Sequence, residues 1–106
     1  TNVALQFLKS IAVDLVEKEE QLIELAYNSV RKRVADALLL LQKRYKDEQK
    51  STFTIAILRD DLASIVGTAK ETVIRTLSDF KEEGIVEVKG SKITILNEHA
   101  LETMLN

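Results

Sequence analysis

The stretch LRDDLASIVGTAKETVIRTL, residues 58–77, decides the fold of this 106-residue chain. Apolar residues recur at helical spacing on both sides of Gly67, and a glycine suits a tight left-handed turn between two helices. Asp60 and Asp61 favour the start of the first helix electrostatically. Its residues predicted to face inward are Leu62, Ile65 and Val66. The stretch therefore predicts a helix, a tight turn and a second helix.

The second helix of this pair is predicted over about residues 69–83. Thr68 can cap it by accepting a hydrogen bond from the N–H of Glu71, which would form the other half of a capping box. Gly84 provides a left-handed stop. The residues predicted to face inward are Val73, Leu77 and Phe80.

The chain beyond Gly84 has the composition of a β-hairpin. Residues 85–88 and 93–96 are rich in β-branched side chains and flank the turn sequence KGSK, residues 89–92. Residues 53–57 indicate one further strand, and residues 99–105 indicate a short last helix. The order of elements is that of a helix-turn-helix followed by a hairpin, called a wing.

The N-terminal part of the chain has a wide apolar stripe at helical spacing over residues 3–26, with no proline or glycine. Ser29 is predicted to cap a separate second helix, which buries Val30, Val34, Leu38 and Leu41 and ends at the polar run 46–51. The residues alone leave two interpretations of the stripe open, a dimer seam and half of an intramolecular helix pair. The candidate seam residues are Ala4, Phe7, Leu8, Ile11 and Leu15.

Composition narrows the class of protein. A chain that is 45% hydrophobic can form one compact domain. Without cysteine, a long apolar run or a leader sequence, we expect a cytoplasmic protein without disulfides or a membrane span. Because the helical pattern begins directly after Thr1, the chain is interpreted as a piece of a longer protein.

The charge distribution leaves nucleic-acid binding open. The net charge of −2 argues weakly against it, but lysine and arginine concentrate in residues 31–50, where a local basic surface can form. Catalysis is disfavoured, because the chain has no nucleophile elbow and no phosphate-cradling glycine loop. His99 is the one histidine, so neither a metal site nor a cofactor is expected in this chain.

Residues 58–77 resemble the helix-turn-helix of the cyclic AMP receptor protein and fumarate-nitrate regulator (CRP/FNR) family. The resemblance continues through residues 83–86 into the wing and back through residues 33–35 and 38–39, so it covers nearly the whole chain. It implies a mainly α (α+β) fold, a winged helix-turn-helix preceded by a long N-terminal helix, in a dimeric bacterial transcription regulator that is not an enzyme.

The resemblance also implies a division of the chain and a set of partners. Residues 1–24 would be the remnant of a dimerisation helix, residues 25–106 the DNA-binding domain, and residues 24–29 a hinge. The partners would be double-stranded DNA, a second copy of the chain and RNA polymerase. Members that bind cyclic AMP have small hydroxyl residues near the end of the dimerisation helix, where this chain has Lys18 and Glu19, and the effector is left open.

Four residues on the second helix of the pair are candidates for base contacts: Lys70, Glu71, Ile74 and Arg75. Arg75 can donate twice to guanine, Lys70 to guanine or phosphate, and Glu71 can accept from cytosine, while Ile74 can contact a thymine methyl. The alternative is a solvated helix face with an ion pair between Glu71 and Arg75. By resemblance, Lys70, Glu71 and Arg75 match the base-reading positions of the family.

The candidates for phosphate contacts are Arg59, Thr68, Thr72, Lys89 and Lys92. The first three lie at helix N-termini, where backbone N–H groups favour anions. Lys89 and Lys92 flank the wing turn, and hairpin solubility explains them equally well. Leu58 stands where the family often has a hydroxyl cap, so the helix beginning at Arg59 is predicted to be capped less well.

Two other classes of protein share the fold. A winged-helix module for protein–protein interaction would not bind DNA, and its binding to a protein would be insensitive to salt. An accessory domain of an enzyme would lack a basic recognition face. Lys70 and Arg75, together with Arg59, favour DNA over both.

Overall fold

The protein's structure, a computed structural model, describes residues 2–46 and 52–105, and in the first helix it describes the side chains of residues 4, 5 and 17 onward. These residues contain four helices and three strands: α1 Asn2–Tyr45, β1 Phe53–Ala56, α2 Arg59–Val66, α3 Lys70–Glu82, β2 Val86–Lys89, β3 Lys92–Ile95 and α4 Glu98–Glu102. The fold is mainly α with a small antiparallel sheet, which confirms the winged helix-turn-helix with a long N-terminal helix.

The long helix α1 is continuous through the position at which a break was expected. It spans 44 residues, and Ser29 lies in its interior, so the prediction that Ser29 caps a separate helix is wrong. A serine inside a helix costs only about 0.5 kcal/mol relative to alanine. Contacts of Tyr27 and Arg31 with α3 favour the uninterrupted helix, and no proline or glycine opposes it.

The three strands form one antiparallel sheet in the order β1-β3-β2, so the strand before the helix pair joins the wing. Phe53 and Val86 both lie opposite Ile95, and Ile55 and Val88 both lie opposite Ile93. The alternation places these apolar residues on one face of the sheet. On the other face the hydroxyl oxygens of Thr54 and Thr94 are 2.7 Å apart.

The core lies where the C-terminal half of α1, the helix pair and the apolar face of the sheet meet. Its fully buried large residues include Leu38, Leu62, Phe80, Ile93 and Leu101. The predicted inward residues of α3 are confirmed, as are Leu62 and Val66 of α2. Ile65 is half exposed, because Ala63 occupies the third buried position of α2, at a spacing that a helix allows equally well.

Candidate nucleic-acid interface

The turn between α2 and α3 is built around Gly67, as the sequence predicted. Gly67 has a φ of 79°, and its N–H and that of Thr68 both donate to the carbonyl of Ala63 at the end of α2. A residue with a Cβ is strained at this φ, whereas glycine is not. The turn brings the N-terminus of α3 beside α2, which gives the two helices the order of a helix-turn-helix.

The capping of both helices depends on backbone groups more than on side chains. Leu58 is the N-cap of α2 and makes no side-chain capping bond, as expected. The capping box predicted for Thr68 and Glu71 is wrong, because the N-cap of α3 is Ala69, one residue later. The tight turn at Gly67 uses the Thr68 backbone to close α2, which leaves Ala69 to begin α3.

The four candidate base-reading residues lie together on the exposed side of α3. Lys70, Glu71, Ile74 and Arg75 are all exposed, whereas Val73, Leu77 and Phe80 are buried on the opposite side. The Lys70 ammonium lies 3.6 Å from the Asp60 carboxylate of α2, and both side chains are exposed, so the pair contributes little to stability. This side of α3 offers donors, an acceptor and one apolar side chain within its first two turns.

Arg75 has a partner that the sequence did not indicate. Its guanidinium carbon lies 4.2 Å from the centroid of the Tyr27 ring, on α1. The expected alternative, an ion pair with Glu71, is not among the ion pairs of the described residues. Helix α3 is thus linked to α1 through one of its candidate base-contact residues.

The Tyr27 ring is itself anchored to α3. Its hydroxyl donates a hydrogen bond to the carboxylate of Asp79, one turn beyond Arg75. Burial, reinforced by this hydrogen bond, raises the pKa of Tyr27 above its ordinary value of 10.0. The phenol therefore keeps its proton at neutral pH and acts as a donor to Asp79.

A second pair of side chains joins α1 to the C-terminal end of α3, where Glu83 is the C-cap residue. The Arg31 guanidinium makes two hydrogen bonds to the Glu83 carboxylate, of 3.0 and 2.9 Å, and lies 5.1 Å from the centroid of the Phe80 ring. The bonds to Glu83 raise the pKa of Arg31. We call Tyr27, Arg31, Arg75, Asp79 and Glu83 the α1–α3 clamp.

Sequence reasoning missed the clamp, although its members are regularly spaced. Tyr27 and Arg31 are four residues apart, as are Arg75, Asp79 and Glu83 in turn, so each set lies along one helix face. Such spacing also fits pairs within a single helix. Only the packing of α1 against α3 distinguishes the two arrangements.

The candidate phosphate-contact residues lie at the N-termini of the helix pair and at the wing. Thr68 and Thr72 are half-buried, and the Thr72 carbonyl accepts from the Thr76 hydroxyl. One guanidinium nitrogen of Arg59 donates to the Gly90 carbonyl at 2.7 Å. Arg59 therefore connects the start of α2 to the wing turn, a role that the sequence did not reveal.

The two wing lysines face solvent on either side of the Gly90 turn. Lys89 and Lys92 are opposite one another in the hairpin, and both are exposed. The Lys89 ammonium lies 3.0 Å from the Glu87 carboxylate. The wing thus carries two exposed cations beside its turn, and Arg59 joins the start of α2 to that turn.

The basic residues of α1 differ in their surroundings within the part of the helix that the structure describes. Arg31 pairs with Glu83 and Lys32 lies 3.4 Å from Asp36, while Lys43 and Arg44 are exposed at the end of the helix. Among the candidate seam residues, Ala4 is exposed. The side chains of Phe7, Leu8, Ile11 and Leu15 lie outside those that the structure describes.

The described residues give no support for a metal site or a membrane-spanning helix. Within residues 2–46 and 52–105, no three histidine, aspartate or glutamate side chains come together in a group that could hold a metal ion. None of the described helices combines the length and apolar character needed to cross a membrane.

The fold and the exposed face of α3 define a winged helix-turn-helix domain. The model of the Crp-like helix-turn-helix domain matches residues 32–104. The chain belongs to the CRP/FNR family of transcription regulators, which confirms the resemblance found in the sequence.

Named relatives agree with this assignment. The chain is 26% identical over 101 residues to electron transport regulator A of Shewanella oneidensis, covering 93% of this chain and 40% of the relative. It is 28% identical over 98 residues to the CRP-like cAMP-activated global transcriptional regulator of Mycobacterium tuberculosis, covering 91% and 44%. Both names describe regulators rather than enzymes.

A solved structure of a related protein has a similar fold. The crystal structure of the Thermus thermophilus catabolite activator protein superposes with a TM-score of 0.84 at 30% identity, covering 96% of this chain and 46% of that one. The chain therefore spans less than half the length of each of these three relatives.

Proposed function

We propose that this chain binds double-stranded DNA in a sequence-specific manner, as the DNA-binding part of a transcription regulator. The observation that carries the proposal is the exposed face of α3, on which Lys70, Glu71, Ile74 and Arg75 are accessible while the other side is buried. Family membership and the regulator names of the relatives support it.

In this proposal α3 enters the major groove by its N-terminal half. Arg75 donates two hydrogen bonds to a guanine, Glu71 accepts from the amino group of a cytosine, and Lys70 donates to a guanine or a phosphate. Ile74 contacts a thymine methyl. The proposed backbone contacts come from Arg59, Thr68, Thr72, Lys89 and Lys92.

Residues 1–24 are proposed to pair with a second copy of the chain, and residues 25–106 to form the DNA-binding unit. In the described part of this helix, Leu5, Leu22, Ile23 and Leu25 are all more than half exposed. Paired copies present two recognition helices to two half-sites, which is how dimeric helix-turn-helix proteins achieve specificity.

The first test addresses base reading. Arg75→Ala is expected to cost about 1–3 kcal/mol on the preferred site and to flatten selectivity at one G·C pair, because the guanidinium fork meets guanine O6 and N7 together. Random-sequence affinity should fall much less. Sites are selected from a random duplex pool with wild type and variant, and the winning sequence is then titrated.

Arg44→Ala is the matched control, since Arg44 is an exposed arginine at the end of α1. It should leave both affinities unchanged. If Arg75→Ala still enriches the same G·C-containing half-site with the same preference, another residue reads that base pair.

The second test addresses phosphate contacts. Affinity for any duplex should fall steeply between about 50 and 200 mM salt, because counterions are released from each neutralised phosphate. Arg59→Ala should weaken binding to specific and random duplexes about equally and lower the salt slope by about one unit. Salt titrations of wild type, Arg59→Ala and Lys92→Ala measure both. Affinity that does not change with salt would count against DNA binding through phosphates.

A further inference from the structure

The contact between Arg75 and Tyr27 involves the residue proposed to carry most of the base specificity. The Arg75 cation lies over the Tyr27 ring at 4.2 Å, yet Arg75 as a whole is exposed. A ring face attracts a cation through its quadrupole, and arginine is the cation that most often uses this contact. Arg75 is therefore held at one place on the surface of α3 without being buried.

Stacking and base reading use different parts of a guanidinium. The planar group stacks through its face and donates hydrogen bonds through its edge, so one contact does not consume the other. An arginine that is free in solution loses considerable rotamer freedom when it binds a guanine. Because Tyr27 restricts Arg75 before DNA arrives, part of that loss is incurred on folding.

The ring that holds Arg75 has a fixed position of its own. The Tyr27 hydroxyl donates to Asp79, and the two hydrogen bonds from Arg31 to Glu83 join α1 to the C-terminal end of α3. Arg75 and Asp79 of α3 both contact Tyr27. The Tyr27 side chain is thus held against α3 by two contacts, one through the face of the ring and one through the hydroxyl.

We propose that Tyr27 is a positioning residue for DNA recognition, which stacks on Arg75 and sets the direction of its guanidinium for a G·C pair. This inference rests on the proposed function of Arg75. Since Tyr27 belongs to α1, base discrimination also depends on how α1 lies against α3. A displacement of the long helix would loosen Arg75 without changing any residue at the DNA surface.

A double-mutant cycle in the full chain tests the proposal. Affinities for the selected duplex and for random duplexes are measured for wild type, Tyr27→Leu, Arg75→Ala and the double variant. Tyr27→Leu removes the ring face and should lower affinity for the selected duplex about three- to tenfold, with random-sequence affinity nearly unchanged. In the Arg75→Ala background the same substitution should have no further effect on discrimination.

Two further variants separate the ring from the hydroxyl and from general effects. Tyr27→Phe keeps the stacking face and should retain most of the discrimination. Tyr45→Leu makes the same change at a tyrosine that is two-thirds exposed at the end of α1, and should change neither affinity. The NMR signal of the Arg75 side-chain Nε–H should shift in Tyr27→Leu, because a ring current is removed, and should stay near its wild-type position in Tyr45→Leu.

The outcomes distinguish this inference from the proposed function. An equal loss on selected and random duplexes, or an equal loss with and without Arg75, would overturn the positioning role and leave a purely structural one. An unshifted Arg75 signal in Tyr27→Leu would overturn it as well, whatever the DNA results. If wild type bound no duplex at all, the proposed function itself would fail, and this inference with it.

Discussion

Tyr27 makes two contacts with α3 through different parts of one side chain, the ring with Arg75 and the hydroxyl with Asp79. The second contact needs the protonated phenol, since only an O–H can donate to a carboxylate. The raised pKa of Tyr27, caused first by burial and then by the Asp79 bond, is the consequence. Ionisation of this one residue therefore bears on the stability of the fold.

We predict a stability change at alkaline pH that depends on the Tyr27 hydroxyl. Because the pKa is higher in the folded than in the unfolded chain, the contribution is fully present below the unfolded pKa of about 10 and is lost as the pH rises through the folded pKa. Wild type should exceed Tyr27→Phe by about 0.5–1 kcal/mol in free energy of unfolding at pH 8. Above pH 10 or so the difference should shrink.

Urea denaturation of wild type and Tyr27→Phe across this pH range measures the difference in free energy of unfolding. Subtracting one value from the other at each pH cancels the titration of the groups that both proteins share. Tyr45→Phe, at an exposed tyrosine, serves as the control and should show no such dependence. A difference between wild type and Tyr27→Phe that stays constant or grows above pH 10 would contradict the prediction.

At the scale of elements, α1 and α3 are joined by polar contacts in addition to their apolar packing. The Arg31–Glu83 pair has two hydrogen bonds, and its side chains are 19% and 45% exposed, so solvent screens it in part. Its geometry is the bidentate one in which arginine pairs most strongly with a carboxylate. The Arg31 guanidinium also lies over the ring of Phe80, a fully buried core residue.

The coupling free energy between Arg31 and Glu83 should therefore be about 0.5–1 kcal/mol. It is measured by urea unfolding of Arg31→Met, Glu83→Gln and the double variant, in which methionine preserves the stem that lies by Phe80. The pair Lys32 and Asp36, within α1, is the matched control, and its coupling should be smaller because it is a single contact of 3.4 Å. Equal coupling in the two pairs would show that Arg31–Glu83 adds nothing beyond an exposed pair.

At the scale of the whole molecule, the chain is elongated, with a longest extent of 73 Å, because α1 continues far beyond the core. The core begins on α1 only at Val34, with Val30 packed against it, and the described residues before Tyr27 are exposed. Leu22 and Ile23 are 66% and 70% exposed. Large apolar side chains on an uncovered helix indicate a surface that another chain covers.

We predict that the chain dimerises through this part of α1, by way of Ala4, Phe7 or Leu8, Ile11 and Leu15. Sedimentation equilibrium should give a dimer for wild type and a monomer for Leu15→Asp, because a carboxylate in an apolar helix seam is costly to bury. Leu105→Asp, at a leucine that is 83% exposed near the C-terminus, should remain dimeric. A wild-type chain that is monomeric at high concentration, and unchanged by Leu15→Asp, would exclude this seam.

The sequence by itself determined the parts of the fold that local chemistry controls. The helix pair around Gly67, the stop at Gly84 and the hairpin around Gly90 follow from residues a few positions apart, because backbone φ and short-range apolar spacing decide them. The exposed set on α3 followed in the same way, since helical spacing alone places Arg75 opposite Val73 and Leu77.

Tertiary structure decided the rest, through contacts between residues far apart in the chain. Ser29 has the chemistry of a cap, but α1 continues through it. The neighbouring Tyr27 and Arg31 contact Asp79 and Glu83, each 52 residues further along the chain, and these contacts favour the continuous helix. The bond from Arg59 to Gly90 spans 31 residues. Local periodicity carries no information on such pairs, because a side chain at a given spacing can contact its own helix, another element or solvent, and the free-energy difference arises only on packing.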